Sequence, residues 1–297
     1  MHELKLMDVQ KKYKDKEAVR KFNYTFANGV YGLLGENGAG KTTLMRLICG
    51  VLQPTGGSIY CDNIEIASMG AEYRRLLGYL PQDFGYYGDF TAERFLRYMA
   101  ALKALPEDYA DSRIDELLDM VELKNVKKKK LKTFSGGMIR RIGIAQALLN
   151  NPEILILDEP TTGLDPIMQN KFVELIKREK ASGKTILMSS HIFEEVENTC
   201  DRIVMIKDGK IVADKNIDKI KNNRIKHYEI TFSSTKSAEA FQGFYSNSKR
   251  EDNKVCLSLK GQINELLCQL KEYDIQDINA RNQTLEEVFL QYYGEEK

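Results

Sequence analysis

The segment Gly35-Glu36-Asn37-Gly38-Ala39-Gly40-Lys41-Thr42-Thr43 carries chemistry by itself. It matches GxxxxGK[ST] in full, between a short apolar run and an amphipathic one. Glycines let backbone N–H groups turn inward around a phosphate chain, and a helix start adds positive potential there. Lys41 is placed to reach the β- and γ-phosphates of a nucleoside triphosphate, and the Thr42 hydroxyl to ligate Mg²⁺. A second pattern, Ile154-Leu155-Ile156-Leu157-Asp158-Glu159, runs four apolar residues into two acids. A buried strand ending at a cleft delivers such carboxylates to the ligand end of a parallel sheet. Asp158 then holds Mg²⁺ through water, and Glu159 orients and deprotonates the attacking water. Alone, that pattern is common in α/β proteins. Downstream of a phosphate loop it points to triphosphate hydrolysis.

A third element is Phe134-Ser135-Gly136-Gly137-Met138, followed by Arg140, Arg141 and a helical run to Leu149. Ser-Gly-Gly at a helix start is a second phosphate-binding device. One triphosphate has no need of two such devices from one chain, so the second is expected to serve nucleotide held by another copy. Read in isolation, these residues fit a serine N-cap with flexible glycines equally well.

The elements around these patterns follow from periodicity. Leu4–Val9 alternates as a half-buried strand should, and Val30–Leu34, Ile154–Leu157 and Thr185–Met188 read as strands, the last two fully buried. The run from Thr42 to Cys49, closed by Gly50, reads as a helix. Strands alternating with helices imply a parallel sheet with covered faces. From Thr91 to about Leu123 the apolar period is helical, which marks an inserted helical segment. Asp208-Gly209 between Arg202–Lys207 and Lys210–Ala213 signals a hairpin. Beyond Asn222 the character changes to βαβαβα: strands at Tyr228–Phe232, Val255–Leu259 and Ile275–Ile278, helices at Ser237–Tyr245 and Gln262–Tyr273. Thr284-Leu285-Glu286-Glu287 is a capping box opening a last helix through Tyr292.

Bulk properties exclude other classes. The chain has 297 residues, and 44 Lys+Arg against 43 Asp+Glu leave a net charge of +1, without the basic excess of a nucleic-acid binder. The Lys127–Lys130 run reads as a solvated face. Five scattered cysteines without CxxC spacing fit a reducing cytosol, with neither a disulfide framework nor a metal site. The N-terminus lacks the apolar core of a signal peptide, and no stretch approaches the ~20 apolar residues of a membrane helix. Action at a membrane therefore requires a partner that spans it.

Taken together, the ordered motifs resemble the ATP-binding cassette (ABC) subunits over about residues 3–220. The resemblance implies an α/β P-loop NTPase cassette over 1–221, with an antiparallel N-terminal subsheet and an inserted helical subdomain at about 86–150. A small C-terminal α+β domain at 222–297 completes it. It also adds site residues. Gln82 in Leu80-Pro81-Gln82-Asp83 matches the family's Q-loop, which contacts Mg²⁺ and couples to the membrane partner. Asp165 in Gly163-Leu164-Asp165 matches the D-loop, His191 the switch histidine at the γ-phosphate, and Tyr13 the aromatic stacked on adenine. Phe134 replaces the more usual leucine of the signature, another apolar anchor. Met138 with Arg140 and Arg141, and the ending Thr284–Phe289, resemble the ATP-binding subunits of bacterial ABC-2-type exporters for bacitracin-like antibiotics, sodium and lipids. The expectation is an ATPase on the cytoplasmic face of the membrane, using ATP and Mg²⁺. It pairs with itself or a related cassette and drives export through permease subunits on a separate chain. The alternatives are a soluble ABC ATPase of the assembly-factor type and a nucleotide sensor without turnover. An intact Glu159 and His191 argue against the sensor.

Overall fold

In a computed structural model the described residues are 2–260 and 263–294, and they fall into two compact units, Met1–Lys215 and Asn216–Lys297. Ten strands run through the first in chain order: β1 (Leu4–Tyr13), β2 (Lys16–Phe26), β3 (Gly29–Leu34), β4 (Gly56–Cys61), β5 (Ile64–Glu65), β6 (Leu77–Leu80), β7 (Ile154–Asp158), β8 (Thr185–Ser189), β9 (Arg202–Lys207) and β10 (Lys210–Asn216). One sheet has the order β2-β1-β4-β5 with antiparallel pairing throughout. The other has the order β10-β9-β3-β8-β7-β6, and its five members from β9 to β6 run parallel.

The helix Lys41–Ile48 lies in the core between these sheets. Its Leu44, Met45, Leu47 and Ile48 are fully buried with Val9, Phe22, Phe26 and Ile59 of the antiparallel sheet and Leu33, Ile156 and Leu187 of the parallel one. At roughly 1.5–3 kcal/mol per buried large apolar side chain, those four residues fix the loop ahead of them firmly. The helical segment expected after residue 86 contains Ala92–Leu102, Glu107–Met120 and Gly136–Ala147. Asp208 (φ 48°) and Gly209 (φ 76°) both take positive φ, as a tight β9–β10 hairpin turn requires.

The second unit begins at Asn216, ahead of the boundary after residue 221 read from sequence. Asn216 caps the short helix Ile217–Asn222 by accepting from the Lys219 amide at 3.1 Å, and with Ile217 and Ile220 as its two apolar residues that six-residue helix is too short for a helical period to announce it. The unit holds β11 (Lys226–Phe232), β12 (Lys249–Glu251), β13 (Lys254–Leu259) and β14 (Ile275–Asn282) in the order β12-β13-β11-β14. β12 adds a strand to the expected βαβαβα series. Its Lys-Arg-Glu sequence carries no apolar alternation; the strand is held by pairing with β13 and by a hydrogen bond from Arg250 Nε to Gln242 Oε1 (3.2 Å). Tyr228, Ile230, Phe232, Val255 and Leu257 pack on Phe241, Leu266 and Leu270 of the helices Thr235–Gln242 and Asn264–Leu270. Gln262, where the second of these helices was expected to start, lies outside the described residues. The Thr284–Glu287 box closes reciprocally: the Thr284 amide donates to Glu287 Oε2 (2.8 Å) and the Glu287 amide to Thr284 Oγ1 (3.1 Å). Hydrogen bonds from Arg281 and then from the Thr284 amide hold the Glu287 carboxyl down at about 2.

Candidate active site

Four neighbouring parallel strands end at one edge, and each delivers a candidate residue there. β3 leads into Gly35, β7 ends on Asp158 before Glu159, β8 ends on Ser189 before Ser190 and His191, and β6 leads into Pro81 and Gln82. This is the ligand end of a parallel sheet.

The phosphate loop depends on glycine at two close approaches. A Cβ on Gly35 would stand 2.4 Å from the Ile206 carbonyl oxygen, and one on Gly40 would stand 2.2 Å from that of Ala18. Gly40 also has φ 107°, which L side chains avoid. The helix beyond it has no side-chain cap and no acid in its first turn. Its first hydrogen bond runs from the Leu44 amide to the Gly40 carbonyl (2.9 Å), so the amides of Lys41, Thr42 and Thr43 precede the helical ladder. Asn37 and Gly38 are exposed on the loop, Ala39 is buried beneath it, and Thr42 and Thr43 are half-buried. Lys41 Nζ donates to the Gly35 (2.6 Å) and Glu36 (3.0 Å) carbonyls. Burial lowers its pKa while Glu159 and Asp158 pull the other way, so both acids lie within electrostatic reach of the loop lysine.

Asp158 is buried. Its Oδ1 accepts from Ser189 Oγ at 2.6 Å, whereas Oδ2, also buried, has no hydrogen-bond partner among the described residues. A buried carboxylate oxygen in that condition suits a cation or the water of one, and Mg²⁺ takes such oxygens. Ser189 Oγ also accepts from the Glu159 amide at 2.9 Å. Glu159 adopts φ 49°, a left-handed backbone that swings its side chain off the strand direction. Its Oε2 accepts from Thr162 Oγ1 (3.2 Å) and lies 3.5 Å from His191 Nδ1. The His191 side chain is 63% exposed, so water reaches the pair.

Three further residues were not legible as site residues. Arg140 is buried and donates to the carbonyls of Pro81, Gln82, Asp158, Glu159 and Pro160. It thereby joins the Gln82 backbone to that of the two acids. Glu195 accepts from Thr161 Oγ1 (2.9 Å) and Ser190 Oγ (2.6 Å), tying the stretch after Glu159 to the stretch before His191. Burial raises its pKa against those two hydroxyls. Lys16 holds its Nζ 3.6 Å from where a Gly38 Cβ would stand, which adds a cation over the loop. Tyr13 pairs with Lys16 across the β1–β2 turn, its ring 43% exposed and Lys11 Nζ 5.5 Å from the ring centroid.

Ser135, Gly136 and Gly137 open a different helix, Gly136–Ala147. Ser135 caps its own helix by accepting from the Met138 amide (3.2 Å), and a Cβ on Gly136 would meet nothing within 4 Å. A Cβ on Gly137 would lie 2.7 Å from the Gly163 carbonyl oxygen. The Asp165 carboxylate, expected among the nucleotide contacts, is engaged as the cap of Pro166–Ala181 and accepts from the Met168 amide at 3.0 Å. Beside Pro81 and Phe84 opens a groove of about 750 Å³ with Tyr79, Met99, Leu102 and Lys103 on its walls. Lys103 Nζ donates to the Leu77 carbonyl (3.3 Å), and burial lowers its pKa to about 8.

Residues 19–162 match the family model for ABC transporters. The chain is 33% identical over 301 residues to the bacitracin transport ATP-binding protein BcrA of Bacillus licheniformis, an alignment covering 98% of this chain and 97% of that one. The chain belongs to the ABC transporter ATP-binding family. The cassette is also 37% identical over 208 residues to the Nod factor export ATP-binding protein I of Burkholderia lata, covering 70% of this chain and 68% of that one. With an uncharacterized ABC transporter ATP-binding protein of Nostoc sp. it shares 41% over 192 residues, 64% of this chain and 57% of the relative. The dimeric structure of MJ0796, a bacterial ABC transporter cassette, superposes with a TM-score of 0.67 at 28% identity, covering 72% of this chain and 98% of that one. MJ0796 in a post-hydrolysis state bound to ADP and Pi gives 0.66 at 29%, with the same coverage of each chain. The cassette is thus an ATPase of a transport system. No helix among its described residues is long and apolar enough to cross a membrane.

Proposed function

We propose that this cassette binds Mg²⁺–ATP, hydrolyses it as a head-to-tail pair on the cytoplasmic face of the membrane, and drives export by permease subunits on separate chains. The observation that carries the reading is the separation of the two phosphate devices. The loop, Lys41, Asp158, Glu159 and His191 converge at one edge, while Ser135 caps a different helix whose start is exposed, with open space at Gly136.

In this reading the adenine stacks on Tyr13, and the loop amides with Lys41 and Lys16 hold the phosphates. Thr42, Asp158 and Gln82 would hold Mg²⁺, which when bound neutralises charge between the β- and γ-phosphates. Glu159 takes a proton from the water that attacks the γ-phosphorus, giving ADP and Pi, and His191 hydrogen-bonds a γ-phosphate oxygen. Ser135 and Gly137 of the partner copy close the other side of the same triphosphate. Closure is favoured by ATP because only the closed pair satisfies both devices, and hydrolysis relieves it. The groove beside Gln82 receives a cytoplasmic segment of the permease, so the Gln82 loop reports closure to the membrane. Residues 216–297 form a separate accessory domain.

Concentration dependence tests the pair. Well below the dimer dissociation constant, the ATPase rate of the full chain is expected to rise as the square of protein concentration and to become linear once pairs saturate. Strict linearity down to the lowest measurable concentration would leave a self-contained site.

A further inference from the structure

Arg140 lies on the helix that Ser135 caps, and its guanidinium is matched atom for atom to backbone. A guanidinium has five N–H donors in a fixed planar fork. Here Nε donates to the Pro160 carbonyl at 3.1 Å. Nη1 donates to Pro81 at 2.8 Å and Gln82 at 2.9 Å, and Nη2 to Glu159 at 2.6 Å and to Asp158. All five acceptors are main-chain oxygens. A cation installed to neutralise acids would take the carboxylates, the stronger acceptors. This one grips the peptide units that carry Asp158 and Glu159 and leaves Asp158 Oδ2 without a partner.

The five carbonyls come from two separate loops. Pro81 and Gln82 follow β6, and Asp158 to Pro160 end β7 and turn away from it. Glu159, at φ 49°, turns the chain off the end of β7, and its carbonyl accepts from the Thr162 amide (3.2 Å) as well as from the guanidinium. One rigid planar group therefore locks three parts together: the Gln82 loop, the turn carrying the two acids, and the helix that starts at Gly136. In the head-to-tail reading the helix start faces another copy, and the two loops serve the chain's own nucleotide.

We propose that Arg140 is a positioning residue linking the two nucleotide sites of the pair, coupling its helix start, seated on the partner copy's nucleotide, to Gln82 and Glu159 of its own chain. The proposal rests on the head-to-tail reading above. A shift of the helix start on gain or loss of that nucleotide moves the guanidinium, and the guanidinium moves both loops. Lysine cannot substitute, because three donors on one atom cannot span the two loops.

The test uses heterodimers of two differently tagged full-length chains. One copy carries Glu159→Gln, so only the other copy's loop site turns over ATP, and that live site receives Ser135 from the silenced copy. Arg140→Lys is then added to the silenced copy, leaving every residue that touches the live site's nucleotide unchanged. The expected result is a fall in live-site kcat of roughly fivefold or more, the lower end of ordinary coupling between sites. KM for ATP stays within about twofold. Unchanged kcat overturns the proposal. So does a rise in KM that accounts for the loss, since that marks a loosened helix start with no transmission. Gly136→Asp in the silenced copy is the control: it abolishes live-site turnover if the sites are composite, and full turnover there means the head-to-tail reading has failed. If Arg140→Lys does not assemble, Arg140→Gln, which keeps two donors for the Pro81 and Gln82 carbonyls, takes its place. Failure of both to fold, read by circular dichroism, overturns the proposal in favour of a purely structural cation.

Discussion

In the proposed pair two helix starts share one task, and they are built differently. The start at Lys41 is walled in by its own chain. The Ala18 and Ile206 carbonyls fill the space beside Gly40 and Gly35, and the helix behind it buries four large apolar residues. It has no side-chain cap, so its amides wait for an external acceptor. The start at Gly136 is satisfied by Ser135 and opens to solvent, and the helix behind it adds the polar anchors of Arg140 to the burial of Ile142, Ile144, Ala145 and Ala147. Apolar burial fixes a position. A polar anchorage transmits a displacement, because its geometry is directional and its partners sit on loops. In the proposed pair, then, the first device binds and the second responds.

Substitutions can break this contrast at several strengths. Glu159→Gln leaves both starts whole and removes only the proposed base. Turnover is expected to fall ~10²–10⁴-fold in steady-state kinetics, and size-exclusion chromatography with ATP should show the trapped pair. Gly136→Asp breaks the second start alone. A carboxylate there meets nothing in its own chain and suits a helix N-terminus, so folding and ATP binding by each chain are expected to persist while turnover drops by roughly 10²-fold. Gly137→Asp is the less clean probe, because its Cβ would also strike the Gly163 carbonyl. Lys41→Ala breaks the first start, and ATP affinity is expected to weaken roughly 10- to 100-fold in a fluorescence titration, as the loss of charged hydrogen bonds implies. Mixing Lys41→Ala with Gly136→Asp restores one intact composite site, so partial activity should return.

The anchorage of the helical segment also carries a pH signature, as does the loop side, where burial lowers the Lys41 pKa. Burial lowers Lys103 to about 8, below the ordinary lysine range. Between those values the unfolded chain binds more protons at this position than the folded one, so this group adds stability as pH rises through that window. Lys103→Met removes the slope and is expected to stabilise the chain by roughly 1–2 kcal/mol at pH 7, with the gain fading above pH 10 in chemical denaturation. Smallest is Ser135→Ala. Loss of the cap costs about 1 kcal/mol of local helix stability, read as faster amide exchange at the start of Gly136–Ala147.

What the sequence revealed and what it withheld follow one physical division. The phosphate loop was legible because its backbone demands glycine at fixed spacing. The Asp208-Gly209 turn and the Thr284–Glu287 box were legible for similar reasons, since both are local and specific to residue type. Arg140 was visible only as a residue of the signature helix, because its acceptors are carbonyls, which every residue possesses, and they lie up to 59 positions away. Glu195 was hidden in the same manner, behind one hydroxyl 34 positions away and another 5 positions away. β6 escaped notice because it is four residues long and includes Gly78, where a Cβ would stand 2.2 Å from the Ala147 carbonyl oxygen. Ser189 could have been found by aligning strand ends, since it sits opposite Asp158 in the parallel register of β7 and β8.

Glu159 occupies a left-handed backbone that a glycine or asparagine would hold with less strain. Such positions cost on the order of 1 kcal/mol or more for an ordinary side chain. A population of these chains selected for heat resistance alone should therefore drift toward glycine at 159, gaining endurance as it lost turnover. The carboxylate persists there only where the work of the enzyme is also under selection.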